Sequence, residues 1–133
     1  MLAMNTYPRA YVAACRKRMG DQLASYEALG ASKGAAARFE PLFFGHLVLA
    51  LDACFVHRTR ALEGKDGNAL NEVRMLCTSL LQHDGVMTAD KTIKYDPAKS
   101  VLKLQIGADI ALTASGFKRL AAAFFDEIGA RFV

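Results

Sequence analysis

An α+β domain is what this sequence predicts, with about four helices around a central apolar helix and a small antiparallel meander of two or three strands between the third and fourth helices. Three observations carry the prediction. Residues 39–58, FEPLFFGHLVLALDACFVHR, are apolar around nearly the whole helical wheel, as in a helix covered on nearly every side. Three other segments repeat their apolar residues at spacings of three and four, and between residues 91 and 112 the apolar period changes to two.

The totals bound the answer. A chain of 133 residues, 53% hydrophobic and 23% charged, is long enough for one domain with its own core. No linker, like-charge block or repeat divides it. The net charge of +4 comes from basic residues scattered from Arg9 to Arg131, and the longest run, Arg16 to Arg18, spreads its side chains about 100° apart on a helix. That pattern argues against nucleic acid as the partner. No apolar stretch approaches the roughly 20 residues that cross a bilayer. Before Asp21 the chain has no acidic residue, a faint likeness to a transit peptide, but the helical face there is that of an ordinary packing helix. Cys15, Cys54 and Cys77 each fall within an apolar helical pattern, so they read as free core thiols in a reducing, cytoplasmic compartment.

In order along the chain, a first helix is expected from about Pro8 to Leu29, started by Asn5 or Thr6 and stopped by Gly30. Val12, Cys15, Met19, Leu23 and Tyr26 form its apolar face. Residues 31–38 read as a flexible connection whose alanines are able to extend the next helix backward. Pro41 suits the first turn of a second helix, which continues to about Leu62 before Gly64. With His46 at zero degrees, Ala50 lies at about 40°, Ala53 at about −20° and His57 at about 20°. A stripe of small side chains thus carries a histidine at each end, about 16 Å apart. Asp52 lies on another side, at about 240°.

Lys65, Asp66 and Gly67 make a tight turn, and Asn68 caps a third helix that runs to about His83. Leu70, Val73, Leu76, Cys77, Leu80 and Leu81 are its expected buried face; Asn71, Thr78 and Gln82 are expected to face water. Lys91–Tyr95 and Ser100–Ile106 alternate as strands around a turn at Asp96–Lys99, and Ile110–Leu112 is a candidate third strand. Thr113 caps the last helix, with Leu112 and Phe117 as a hydrophobic staple and Phe117, Leu120, Ala121, Phe124, Ile128 and Phe132 turned inward.

The segments KDGNALNEVRMLC and FEPLFFGHLVLALD resemble a small bacterial family of uncharacterised proteins, over most of the chain from Phe39 onward. The resemblance implies no activity, cofactor or catalytic residue.

Three groups of residues stand out as candidate sites. His46, Ala50, Ala53 and His57 are a candidate pocket or interface, since a stripe of small residues floors a groove or admits another backbone. Asp52 needs a partner if buried, and Arg74 on the next helix is the expected one. Lys65, Gly67 and Asn68 before a free helix N-terminus form a candidate anion-binding turn, though the spacing matches no phosphate loop. Cys54 and His57 share one helix turn but lack two further ligands in any paired motif, so neither metal nor cofactor is expected. The leading expectation is therefore a cytoplasmic binding or interaction module, with a second copy as its partner. The alternatives are a small enzyme with a histidine-lined pocket on the second helix and, less favoured, a winged-helix-like nucleic-acid binder.

Overall fold

The computed structural model describes residues 3–133. Among these residues five helices follow one another: α1 (Arg9–Ala28), α2 (Lys33–Ala53), α3 (Arg60–Glu63), α4 (Ala69–Gln82) and α5 (Ala114–Arg131). Both α2 and α5 pack against the other long helices, α2 against α1, α4 and α5, and α5 against α1, α2 and α4. Rings fill the centre. Phe44 meets Phe117 at 5.3 Å, and Phe55 packs among Tyr7, Tyr11, Phe124 and Phe125.

The expected meander is absent, and the fold is all-helical rather than α+β. Among the described residues the only β pairing is two isolated bridges, Met4 with Arg58 and Val86 with Asp109. Local chemistry explains why residues 91–112 do not pair as strands. The buried Glu72 carboxylate accepts from the backbone N–H groups of Val101 and Leu102 at 2.8 and 2.9 Å, donors that a ladder would need. Ser100 Oγ accepts from Lys103 N, Asp96 Oδ1 from Ala98 N and Asp90 Oδ1 from Thr92 N. Such side-chain bonds offer the backbone an alternative to a sheet. Lys103 also sits at φ 56°, a left-handed conformation that no strand accommodates. The alternating apolar residues still serve the core: Ile93 and Leu112 are buried, and Leu102 and Leu104 pack against it. With no strands beside it, the turn at Asp96–Lys99 is not a wing, and the winged-helix alternative loses its second element.

The second helix is displaced from its expected bounds. Ser32 accepts from Ala35 N at 3.2 Å and starts it eight residues before Pro41, so Pro41 lies inside the helix and residues 33–38 are helical rather than a loose connection. It ends at Ala53 because residues 54–58 are claimed by other parts of the chain. Met4 N donates to His57 O at 2.7 Å, Thr59 N donates to Met4 O at 3.0 Å, and Arg58 turns inward. The remaining long helices lie close to expectation. Asn68 Oδ1 caps α4 and Thr113 Oγ1 caps α5, as the sequence indicated. On α4, however, Asn71 is buried and Leu81 exposed, the reverse of their expected placement.

The open face of the central helix as candidate functional site

Three helices pack on α2, and the sheet expected to help cover it does not exist. Its fourth side is therefore open. Phe39, Leu42, His46, Ala50 and Ala53 are exposed along this side, Leu42 with 67% of its surface and Phe39 with 46%. The His46 and Ala stripe is thus brought together on one face, on the outside of the molecule and not in its interior. His46 Nδ1 lies 2.8 Å from Leu42 O one turn earlier, so the ring is held against its own helix with its other edge toward solvent.

Two grooves lie at the ends of the seam between α1 and α2. One, about 410 Å³, is lined by Gln22, Tyr26, Leu29, Phe39 and Phe43. The other, also about 410 Å³, is lined by Met4, Tyr7, Tyr11, Ala53, Cys54 and His57. His57 therefore lines the second groove, and His46 lines neither of the two. None of the residues lining the second groove is a carboxylate that would orient the His57 ring.

The charged residues singled out by sequence are paired differently. Asp52 Oδ1 accepts from Arg58 Nη1 at 2.8 Å, while Arg74 engages Glu63, with Nη2 to Oε1 at 2.6 Å and Nε to Oε2 at 3.0 Å. Asp52 and Arg74 thus belong to one cluster without bonding each other. Its centre is Glu63, whose side chain is fully buried and also takes Arg58 Nε at 2.9 Å and Asn71 Nδ2 at 2.8 Å. Burial by itself pushes the Glu63 carboxyl up, but the Arg74 hydrogen bonds and the charges of Arg58 and Arg74 outweigh it and hold the carboxyl below its usual range. Arg58 also donates to the carbonyls of Phe55 and Leu70 and lies 5.5 Å from the centre of the Phe124 ring. Every strong contact of this cluster is internal, so it locks the end of α2 to α3 and α4.

The candidate anion-binding turn is braced by bonds of its own. Gly67 N donates to Asn71 Oδ1 at 2.9 Å, and Leu70 N and Asn71 N donate to Asn68 Oδ1. Lys65 is exposed, and three of the backbone donors that follow it, Gly67 N, Leu70 N and Asn71 N, have partners within the turn. Gly67 sits at φ 88° with Lys94 O only 2.4 Å from where a Cβ would be, so its role is close packing of the turn against residue 94.

Sequence reasoning missed Arg58 and Glu63 because the second helix was expected to continue through them. Among the described residues no three metal-binding side chains converge, and no helix is long and apolar enough to cross a membrane. Comparison with family models, curated proteins and solved structures gave no match.

Proposed function

We propose that the protein is a small cytoplasmic interaction module that works as a homodimer, with the α2 helices of two copies packed antiparallel through their open faces. The observation that carries this reading is the order of side chains along that face. Bulky Phe39 and Leu42 stand at one end and Ala50 and Ala53 at the other, at equal distances in sequence from His46. A two-fold axis through His46 sets each Phe39 against the other copy's Ala53, each Leu42 against its Ala50, and the two His46 rings together. Large side chains then fill hollows over small ones, in the self-complementary manner that a two-fold contact requires.

The available area supports it. The uncovered parts of Phe39 and Leu42, and of Tyr11 and Val56 beside Ala53, come to on the order of 400 Å² per copy, taking about 150–250 Å² for a whole aromatic side chain. Two copies then contribute roughly 800 Å² of apolar surface, and the exposed His46, Ala50 and Ala53 between them bring the contact toward the roughly 1,000 Å² that a specific interface needs. Three free cysteines fit a reducing compartment. Equilibrium sedimentation at micromolar concentration should give the dimer mass; a monomer there removes the reading.

A second reading, a small enzyme or small-molecule binder, is favoured by one observation: the groove that His57 shares with Tyr7 and Tyr11. It predicts saturable binding of small aromatic compounds that is lost in His57→Ala. A screen in which no compound depends on His57 dismisses it.

A further inference from the structure

His46 is the titratable side chain at the centre of the open face of α2. Phe39 and Leu42 precede it by seven and four residues, Ala50 and Ala53 follow it by four and seven, and all four are uncharged. Its Nδ1 lies 2.8 Å from Leu42 O. A carbonyl oxygen only accepts, so the proton of the neutral ring sits on Nδ1, and Nε2 is the atom that gains or loses a proton. That atom is on the edge of the ring turned to solvent, where the two-fold contact brings a second copy of it.

No carboxylate among the described residues forms an ion pair with His46. The charged groups of the surrounding elements are largely engaged with one another. On α2 itself, Glu40 accepts from Tyr26 Oη and Ala114 N, and Asp52 accepts from Arg58. On α1, Lys17 and Asp21 pair at 2.7 Å, and Arg18 Nη2 lies 3.3 Å from Cys15 Sγ. On α4, Glu72 holds the backbone of residues 101 and 102 while Arg74 holds Glu63. On α5, Asp126 and Glu127 pair with Arg16 and Arg131, and Arg119 donates to Val101 O. Glu27, Lys33, Arg38, His83, Asp84 and Lys118 are exposed and bonded to no side chain of opposite charge.

We propose that the two His46 rings make the homodimer a proton-sensitive switch, closed while both imidazoles are neutral and opened when they are protonated. Given the two-fold contact proposed above, on which the switch rests, two neutral rings lie against each other as small aromatic planes. Two imidazolium ions in the same place repel each other, and both give up water that no counter-charge replaces. The dimer therefore disfavours the charged form and binds fewer protons than two separate copies do. By linkage, the association constant is at its full value above the imidazole range and falls as pH drops through it. With two protons excluded per dimer, the fall approaches about 100-fold for each pH unit. Mild acid thus separates the copies and uncovers Phe39 and Leu42, and neutral pH restores the pair.

Sedimentation equilibrium over a dilution series, from about pH 8 down to about pH 5.5, tests this on the full-length protein, with helical circular dichroism at each pH. The wild type should be a dimer at the upper end and lose about 100-fold in its constant toward the lower end, with helix content unchanged. The chain has three histidines. A double variant, His57→Gln with His83→Gln, keeps His46 as its only imidazole and should show the same fall, whereas His46→Gln should show none. Because His46 lies in the contact and its replacement weakens association by itself, the wild type and the double variant decide independently. A monomer at the upper end overturns the two-fold contact and the switch with it. A dimer whose constant stays flat across the range overturns the switch alone. A fall that persists in His46→Gln, that vanishes in the double variant, or that comes with loss of helix also overturns the switch.

Discussion

Replacing Leu42 with alanine tests the two-fold contact with an amplification that no one-sided contact shows. In the protomer Leu42 is 67% exposed. Burying a whole leucine side chain is worth about 1.5–3 kcal/mol, so covering its uncovered part is worth about 1–2 kcal/mol. A two-fold interface contains the residue twice, and the loss doubles to about 2–4 kcal/mol. At about 1.4 kcal/mol per tenfold, the dimer constant weakens by roughly 30- to 1,000-fold. The protomer itself should scarcely notice, since exposed substitutions away from caps and networks stay within about 0.5 kcal/mol. Sedimentation equilibrium over a dilution series reads the first effect, and helical circular dichroism checks the second. Ala50→Leu, which overfills the hollow facing Leu42, should weaken the dimer by a similar order, whereas Lys118→Ala, at an exposed position of α5, should leave it unchanged. An unaltered constant for Leu42→Ala, or a loss of helix alongside dissociation, refutes the reasoning.

The interior offers further tests. Glu63→Gln keeps the shape but leaves Arg58 and Arg74 without their shared anion, and should cost about 3–5 kcal/mol by urea denaturation; a change under about 1 kcal/mol would show the cluster to be dispensable. Because Glu63 is held below its usual range, the stability it supplies is present above its unfolded value and is lost as pH falls through its lower folded value. Urea midpoints should therefore decline on the acid side. Glu72, pushed up chiefly by burial, acts with the opposite sign, its contribution declining as pH rises from its unfolded value through the raised one. Gly67→Ala places a Cβ against Lys94 O at a positive φ and should destabilise by more than about 2 kcal/mol; a thermal midpoint equal to wild type would mean that the turn relaxes freely.

The helical parts of the fold were legible where local signals acted alone. Asn68 and Thr113 cap the helices they were expected to cap, and the apolar face of α1 is buried at Cys15, Met19, Leu23 and Tyr26. The errors arose where a distant group overrode the local pattern. Leu102 and Leu104 alternate as a strand would, but Glu72, some thirty residues earlier, takes the backbone donors there. Pro41 signals a helix start, but Ser32 offers an earlier one and the interior tolerates the lost bond. The apolar pattern carries the second helix past Arg58 to about Leu62, and only the arrival of Met4, Asp52 and Glu63 shows why the helix stops short of it. None of these partners is near in sequence except Asp52 and Glu63, and those two become partners only once the helix has ended.

The misread sheet and the open face of α2 have one cause. An apolar helix of this length needs cover on most of its sides, and the alternation of residues 91–112 suggests a sheet that shares that work with the helices. Glu72 instead draws residues 101 and 102 down onto α4, where Glu72 lies buried beneath them, and Leu112 leads directly into α5. That segment thus serves the side of the molecule formed by α4 and α5, leaving the His46 side of α2 without cover from its own chain. Exposed Leu42 and Phe39 are accordingly not scattered apolar residues of the ordinary kind, because they lie on one helix face, flanked by alanines that fit them in reverse order. A cover supplied by the same helix of another copy satisfies both facts at once: the apolar character that first marked α2 as buried, and the absence of anything in the protomer to bury that side.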